Sequence, residues 1–331
     1  MANIKKIKRI LNFVVGPLLF SGIAWFIYRH IIAIPDLDHH QEVIWNSIQG
    51  RGKWLLLIAF FFVFLNWGIE ALKWQQLVNH LMKFTYMDSL RGVLAGVSFT
   101  MLTPNRMGEF MGRALYMPDG SRIKTAALTS IGSLSQIIIT LAGGIGGLTL
   151  LLLAEVDLKD WPLLLNTLKY GTLTALMFGI LVYFNLGLVI RLAENWPPLA
   201  RYSVFIHAIG EIHGKELLKI LGLSFLRYLV FFLQYWYVAE AFGLDLSLKT
   251  VFICTSTMFL ILTLIPSISL AEFGIRSQVS LYVFGLFTAN ALGIVVLTST
   301  ILVINIILPA IVGSLILLSV RLFGNHKKMN G

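Results

Sequence analysis

The chain is short of charge, of cysteine and of any familiar catalytic signature. Only 13% of its 331 residues are Asp, Glu, Lys or Arg, about half the share of a soluble domain. Cys254 is the only cysteine, which excludes an intrachain disulfide and any multi-thiolate metal site. There is no Walker loop, no H-E-x-x-H, no G-x-S-x-G and no dinucleotide fingerprint, so catalysis of an ordinary soluble kind has no apparatus here. Asp36, Asp38, His39 and His40 lack further spaced ligands and read as a solvated loop. The alternating strands of an outer-membrane barrel are also missing.

What fills the space is apolar. Hydrophobic residues make up 57% of the sequence and the mean hydropathy is +0.81. Long apolar runs separated by short charged loops predict spanning helices at 10–28, 54–72, 125–153, 165–190, 217–241 and 292–320. The basic N-terminus has no small-residue cleavage site and reads as a retained first helix. The net charge of +10 is scattered over loops. It fits anchoring to an anionic membrane face better than nucleic acid, which we exclude as a partner.

Two apolar regions, 91–121 and 251–288, do not read as single spans. Each is interrupted by a proline with charge behind it: LTPNRMGEF around Pro104 and LIPSISLAEF around Pro266. The fold expected is therefore an all-α, polytopic transmembrane bundle with about six full spans and two broken or re-entrant hairpins. The 26 Lys and Arg residues distribute best with both termini cytoplasmic, and this places Lys73 among the cytoplasmic charges. The Pro104 break then enters from the cytoplasm and the Pro266 break from outside. Such a pair suggests an inverted repeat with halves 1–160 and 161–331.

The breaks carry the candidate substrate-binding residues. Thr103 suits an N-cap and Pro104 a first helical position. Arg106, Glu109 and Arg113 then share one face, with Glu109 and Arg113 placed to pair at i, i+4. Arg106 beside the unsatisfied N–H groups of a helix start suits an anion, phosphate above all. In the second break, Ser269 and Glu272 match a capping box, with Arg276 four residues after Glu272. Arg227 lies deep in the 217–241 helix and needs a partner facing the bundle interior, Glu240 or Glu70. Asn66 and Glu70 read as an interfacial helix end. Ser133, Ser135 and Gln136 read as helix glue, and Gly143, Gly144, Gly146 and Gly147 as sites of close packing.

Thr103-Pro104-Asn105-Arg106-x-Gly108-Glu109-x-x-x-Arg113, with Pro266 and Glu272-Phe-Gly-Ile-Arg276 far downstream, resembles the lysylphosphatidylglycerol synthase transmembrane region family. The resemblance runs over most of the chain. Many members carry a Gly-Gly-rich stretch where this chain has PSISLAEFG, and an acidic or Arg pair where it has Ser133 and Gln136. The resemblance implies a flippase-like, stand-alone membrane module of the bacterial inner membrane. It would handle a lipid with a charged head group, of anionic or polyprenyl-phosphate type, without the aminoacyltransferase domain that makes such a lipid. It implies no cofactor or metal. A rival expectation is a scaffold or accessory subunit for a lipid- or glycan-modifying enzyme, with that enzyme or a second copy as partner.

Overall fold

A computed structural model describes residues 49–101, 103, 108–154, 162–187, 212–265 and 269–319, with single positions at 25, 42 and 45. The described residues form helices and turns, with no strand. In chain order they are α1 (Gly52–Val78), α2 (Tyr86–Thr100), α3 (Gly108–Ala114), α4 (Arg122–Leu152), α5 (Pro162–Phe184), α6 (Gly214–Ala241), α7 (Leu248–Leu264), α8 (Ser269–Gly285), α9 (Ala291–Leu302) and α10 (Leu308–Ser319). A wide π turn at Val303–Ile307 joins α9 to α10. The expected span at 10–28 lies outside the described residues.

Among the described residues, four stretches are long and apolar enough to cross a membrane: Gly52–Val78, Arg122–Leu152, Leu165–Phe184 and Ala291–Leu317. The chain is a membrane protein. Helix α6 has the length but carries Lys215, Glu216, Lys219, Arg227 and Glu240, so its polar face must be covered by protein.

Local chemistry sets the helix ends. The Thr85 hydroxyl accepts from the Asp88 N–H at 3.2 Å and starts α2. Ser247 does the same for α7 through Thr250 at 3.1 Å, and Asn290 for α9 through Gly293 at 2.8 Å. Helix α6 ends at Gly243, whose φ of +64° suits a residue without Cβ.

Both proline regions are broken, as the sequence predicts. Helix α2 has 15 residues and α3 has 7, about 22 and 10 Å long, so neither crosses a hydrocarbon core of about 30 Å. They fold back on one another backbone to backbone. A Cβ on Gly108 would overlap Phe99, and one on Gly112 would overlap Gly96. The second region is the pair α7 and α8, which also pack together.

Helices α1 and α6 form the central pair, and α4 lies on α7 while α10 lies on α2. Glycine permits both outer crossings. Gly144 meets Leu260 and Gly147 meets Ser256 and Thr257, the close packing expected of that glycine run. Gly313 meets the Leu94 carbonyl, beside a hydrogen bond from the Ser98 hydroxyl to the Ala310 carbonyl at 2.7 Å.

A buried ion cluster as candidate functional site

Helix α1 is an apolar run interrupted by Asn66, Glu70 and Lys73. Steps of four and three put all three on one face, and that face meets α6. Glu70 is the hub. One carboxylate oxygen accepts from Lys73 Nζ at 2.8 Å and from Arg227 at 2.7 Å. The other accepts from Arg113 at 2.8 Å. Arg113 also pairs with Glu109, as the i, i+4 spacing predicts. Glu70, Lys73 and Arg113 are 2%, 1% and 1% exposed; only the Glu109 side chain, at 19%, reaches the edge.

A polar ladder runs on from the hub along α1. Arg227 Nε donates to Asn66 at 2.7 Å, and Asn66 donates to Asn305 at 3.2 Å. Asn305 donates to Gln234 at 2.9 Å, and Gln234 to the Ala59 carbonyl at 2.8 Å. The π turn supplies Asn305, and such turns recur at functional sites. On the other side of the hub, Lys73 donates to the Gly132 carbonyl at 3.2 Å. The Ser135 and Ser224 hydroxyls bond at 2.7 Å, and Gln136 donates to the Ser224 carbonyl at 3.4 Å, so Ser135 and Gln136 act as helix glue. Aromatic faces line the cations: Trp74 against Arg113 at 5.8 Å, and Trp67 and Phe231 against Arg227 at 5.1 and 5.5 Å.

Among the described residues this cluster holds three cations, Lys73, Arg113 and Arg227, and two carboxylates, Glu70 and Glu109. One positive charge is left over. Arg113 Nε and the indole N–H groups of Trp67 and Trp74 are buried without an acceptor. Surplus charge and surplus donors both suit an anion.

Two sequence expectations need correction. Asn66 and Glu70 do not mark an open helix end; α1 runs on to Val78, and they are 0% and 2% exposed because α6 and α3 close over them. Lys73 is not a loop charge facing the cytoplasm, since Glu70 and the Gly132 carbonyl hold it inside the bundle. Of the two partners expected for Arg227, Glu70 is found bonded to it. Asn305 was not foreseen; its signal is a lone amide in the run ILVINIIL.

The remaining site residues divide. The Thr103 hydroxyl donates to the Phe99 carbonyl at 3.0 Å and accepts from the Gly108 N–H at 2.6 Å, clasping the turn between α2 and α3. Described α3 begins at Gly108; Pro104 and Arg106 lie outside the described residues. Helix α8 does begin at Ser269, but the side chains of Ser269 and Glu272 lie outside the described residues, as do Pro266 and the loop 36–40. Arg276 donates to the Tyr235 hydroxyl at 3.4 Å. Tyr235 is itself packed between Phe259 and Phe284.

The family described as the lysylphosphatidylglycerol synthase TM region matches residues 12–313. The chain belongs to that family. The match takes in both proline breaks and every member of the ion cluster, so the cluster is part of the lysylphosphatidylglycerol synthase TM region itself and not of an appended segment. A comparison with curated proteins finds no match.

Proposed function

We propose that this lysylphosphatidylglycerol synthase TM-region protein binds a membrane lipid with a charged, phosphate-bearing head group and moves it across the bacterial inner membrane. The observation that carries the proposal is the ion cluster, with one cation in excess among the described residues and unused donors at Arg113 and Trp74. A guanidinium fork matches phosphate oxygens in pairs. Arg106 and Arg113 receive the head group. Glu109, at the edge of the cluster, holds Arg113 until a phosphate competes for it. Thr103 and Pro104 set the turn. Arg227 braces the hub, and Ser269, Glu272 and Arg276 form the equivalent reception point in the second hairpin.

The spacing of the helix starts supports reading the chain as an inverted repeat, and such a repeat favours transport over static binding. Gly52 and Gly214 begin α1 and α6, and Tyr86 and Leu248 begin α2 and α7; each pair is 162 residues apart. Under that correspondence α4 on α7 answers α10 on α2, and the α1–α6 pair answers itself. Two hairpins related in this way open to opposite faces, the arrangement used for alternating access. We place both termini on the cytoplasmic side on the strength of the basic loop residues.

The test compares the lipids that co-purify in mild detergent with wild type, Arg106→Ala and Arg113→Lys, by mass spectrometry. A phosphate-bearing lipid enriched with wild type and depleted several-fold in Arg106→Ala is expected. Equal lipid in all three, with unchanged translocation in liposomes, removes the head-group role from these arginines.

A further inference from the structure

A cavity of about 370 Å³ closes the end of the bundle where α1 stops and α6 starts. Gln76, Asn79 and His80 line it from α1, and Glu216 and Lys219 from α6. His80 pairs with Glu216 at 3.2 Å across the two helices, and Glu216 also accepts from the His213 N–H at 3.2 Å. One Glu216 oxygen takes both contacts, and the imidazole is held by it. Lys219 is different. It is exposed and pairs with no carboxylate among the described residues. Asn79 uses its carbonyl on the Phe84 N–H at 2.9 Å, which leaves its NH₂ to donate, and Gln76 has a second amide at the rim. The rim therefore offers an ammonium and two amide donors, a set suited to phosphate oxygens.

The floor is apolar. Leu77 and Ile220 are each 1% exposed. Close to the lining residues in sequence, Leu218 and Met82 present apolar surface, 61% and 37% exposed. An inorganic ion needs neither the volume nor this apolar setting, whereas a phospholipid needs both. The cavity is also aligned with the ion cluster. On α1, Leu77, Lys73, Glu70 and Asn66 follow one another at steps of three or four, as do Glu216, Ile220, Ser224 and Arg227 on α6. Each series is one helix face, so Leu77 and Ile220 form a one-turn apolar seal between the cavity and Lys73.

We propose that this cavity is a docking site for the phosphate of a membrane phospholipid, held by Lys219 with Asn79 and Gln76 and separated from the ion cluster by Leu77 and Ile220. The proposal rests on the lipid-binding reading above and adds a first stop to it. It requires that Lys219 control capture while Arg106 and Arg113 control retention.

Titrating the purified full chain in detergent with dihexanoyl phosphatidylglycerol, dihexanoylglycerol and inorganic phosphate tests it. Wild type should bind the phospholipid saturably and dihexanoylglycerol weakly. Lys219→Ala should raise the apparent Kd about tenfold, the loss of one charge-assisted hydrogen bond, and Lys219→Arg should restore most of it. Lys219 is exposed, so the variant should fold and run as the same monodisperse peak as wild type. Identical isotherms for wild type and Lys219→Ala overturn the proposal. So does inorganic phosphate that binds as tightly as the phospholipid, since the site is then an ion site. An Arg106→Ala protein that keeps its co-purified lipid, while Lys219→Ala still loses the titratable site, upholds the docking site and rejects only the deeper one.

Discussion

Replacing Glu70 with Gln keeps the size of the side chain and removes the charge that three cations share at 2.7 to 2.8 Å. Lys73, Arg113 and Arg227 would then face one another with Glu109 as the remaining carboxylate among the described residues. Removing one partner of a buried ion pair costs about 3–5 kcal/mol, because the other charge is left buried and uncompensated. An unfolding entropy near 2 cal/mol/K per residue gives roughly 0.7 kcal/mol/K for this chain, so a cost of about 4 kcal/mol lowers Tm by about 6 °C. The assay is the midpoint of heat-induced loss of the monodisperse peak on size-exclusion chromatography in mild detergent. The double variant Glu70→Gln/Lys73→Met removes a cation along with the anion and should recover about half of the loss, since coupled neighbours are not additive. A single variant that melts within about 1 °C of wild type would refute the view that Glu70 holds these helices together.

Glycine placement gives a sharper contrast. Gly112→Ala puts a methyl group into the Gly96 backbone, whereas Gly274→Ala meets no atom within 4 Å. The first should cost about 1–3 kcal/mol or more and reduce monodisperse yield, and the second should leave yield unchanged and raise Tm by about 1 °C, since Ala is favoured over Gly within a helix. Cys254 is the only thiol and is fully buried, 0% exposed. A maleimide should therefore leave the folded protein unlabelled and react on heating along the same curve as the chromatographic midpoint. Labelling well below that midpoint would mean that the core around α6, α7 and α8 opens locally.

What the sequence could tell followed from how each signal is encoded. Glu109 and Arg113 are four residues apart, and helical geometry alone pairs them. Arg227 advertised itself because a charge ten residues inside an apolar helix must find a partner. Pro104 and Pro266 announced the two breaks. Lys73 was misplaced because a count of basic residues near helix ends cannot distinguish a loop lysine from one turned inward, and only α6 and α4 decide which it is. Asn66 and Glu70 failed for the same reason: the face was legible and its covering was not. Asn305 depends on a single extra residue in one turn, which apolar periodicity does not register.

That extra residue has a consequence for insertions and deletions. The turn Val303–Ile307 is overfull by about one residue, and its wider winding absorbs the excess. Deleting any one residue there would restore an ordinary helix and leave everything beyond it in nearly the same phase. The same deletion inside α10, ahead of Gly313, has no such slack: it would swing Gly313 by about 100° away from the Leu94 carbonyl and turn a larger side chain into a crossing that admits only hydrogen. This membrane helix thus carries a one-residue expansion joint at residues 303–307, and single-residue deletions should be tolerated far better there than between Leu308 and Gly313.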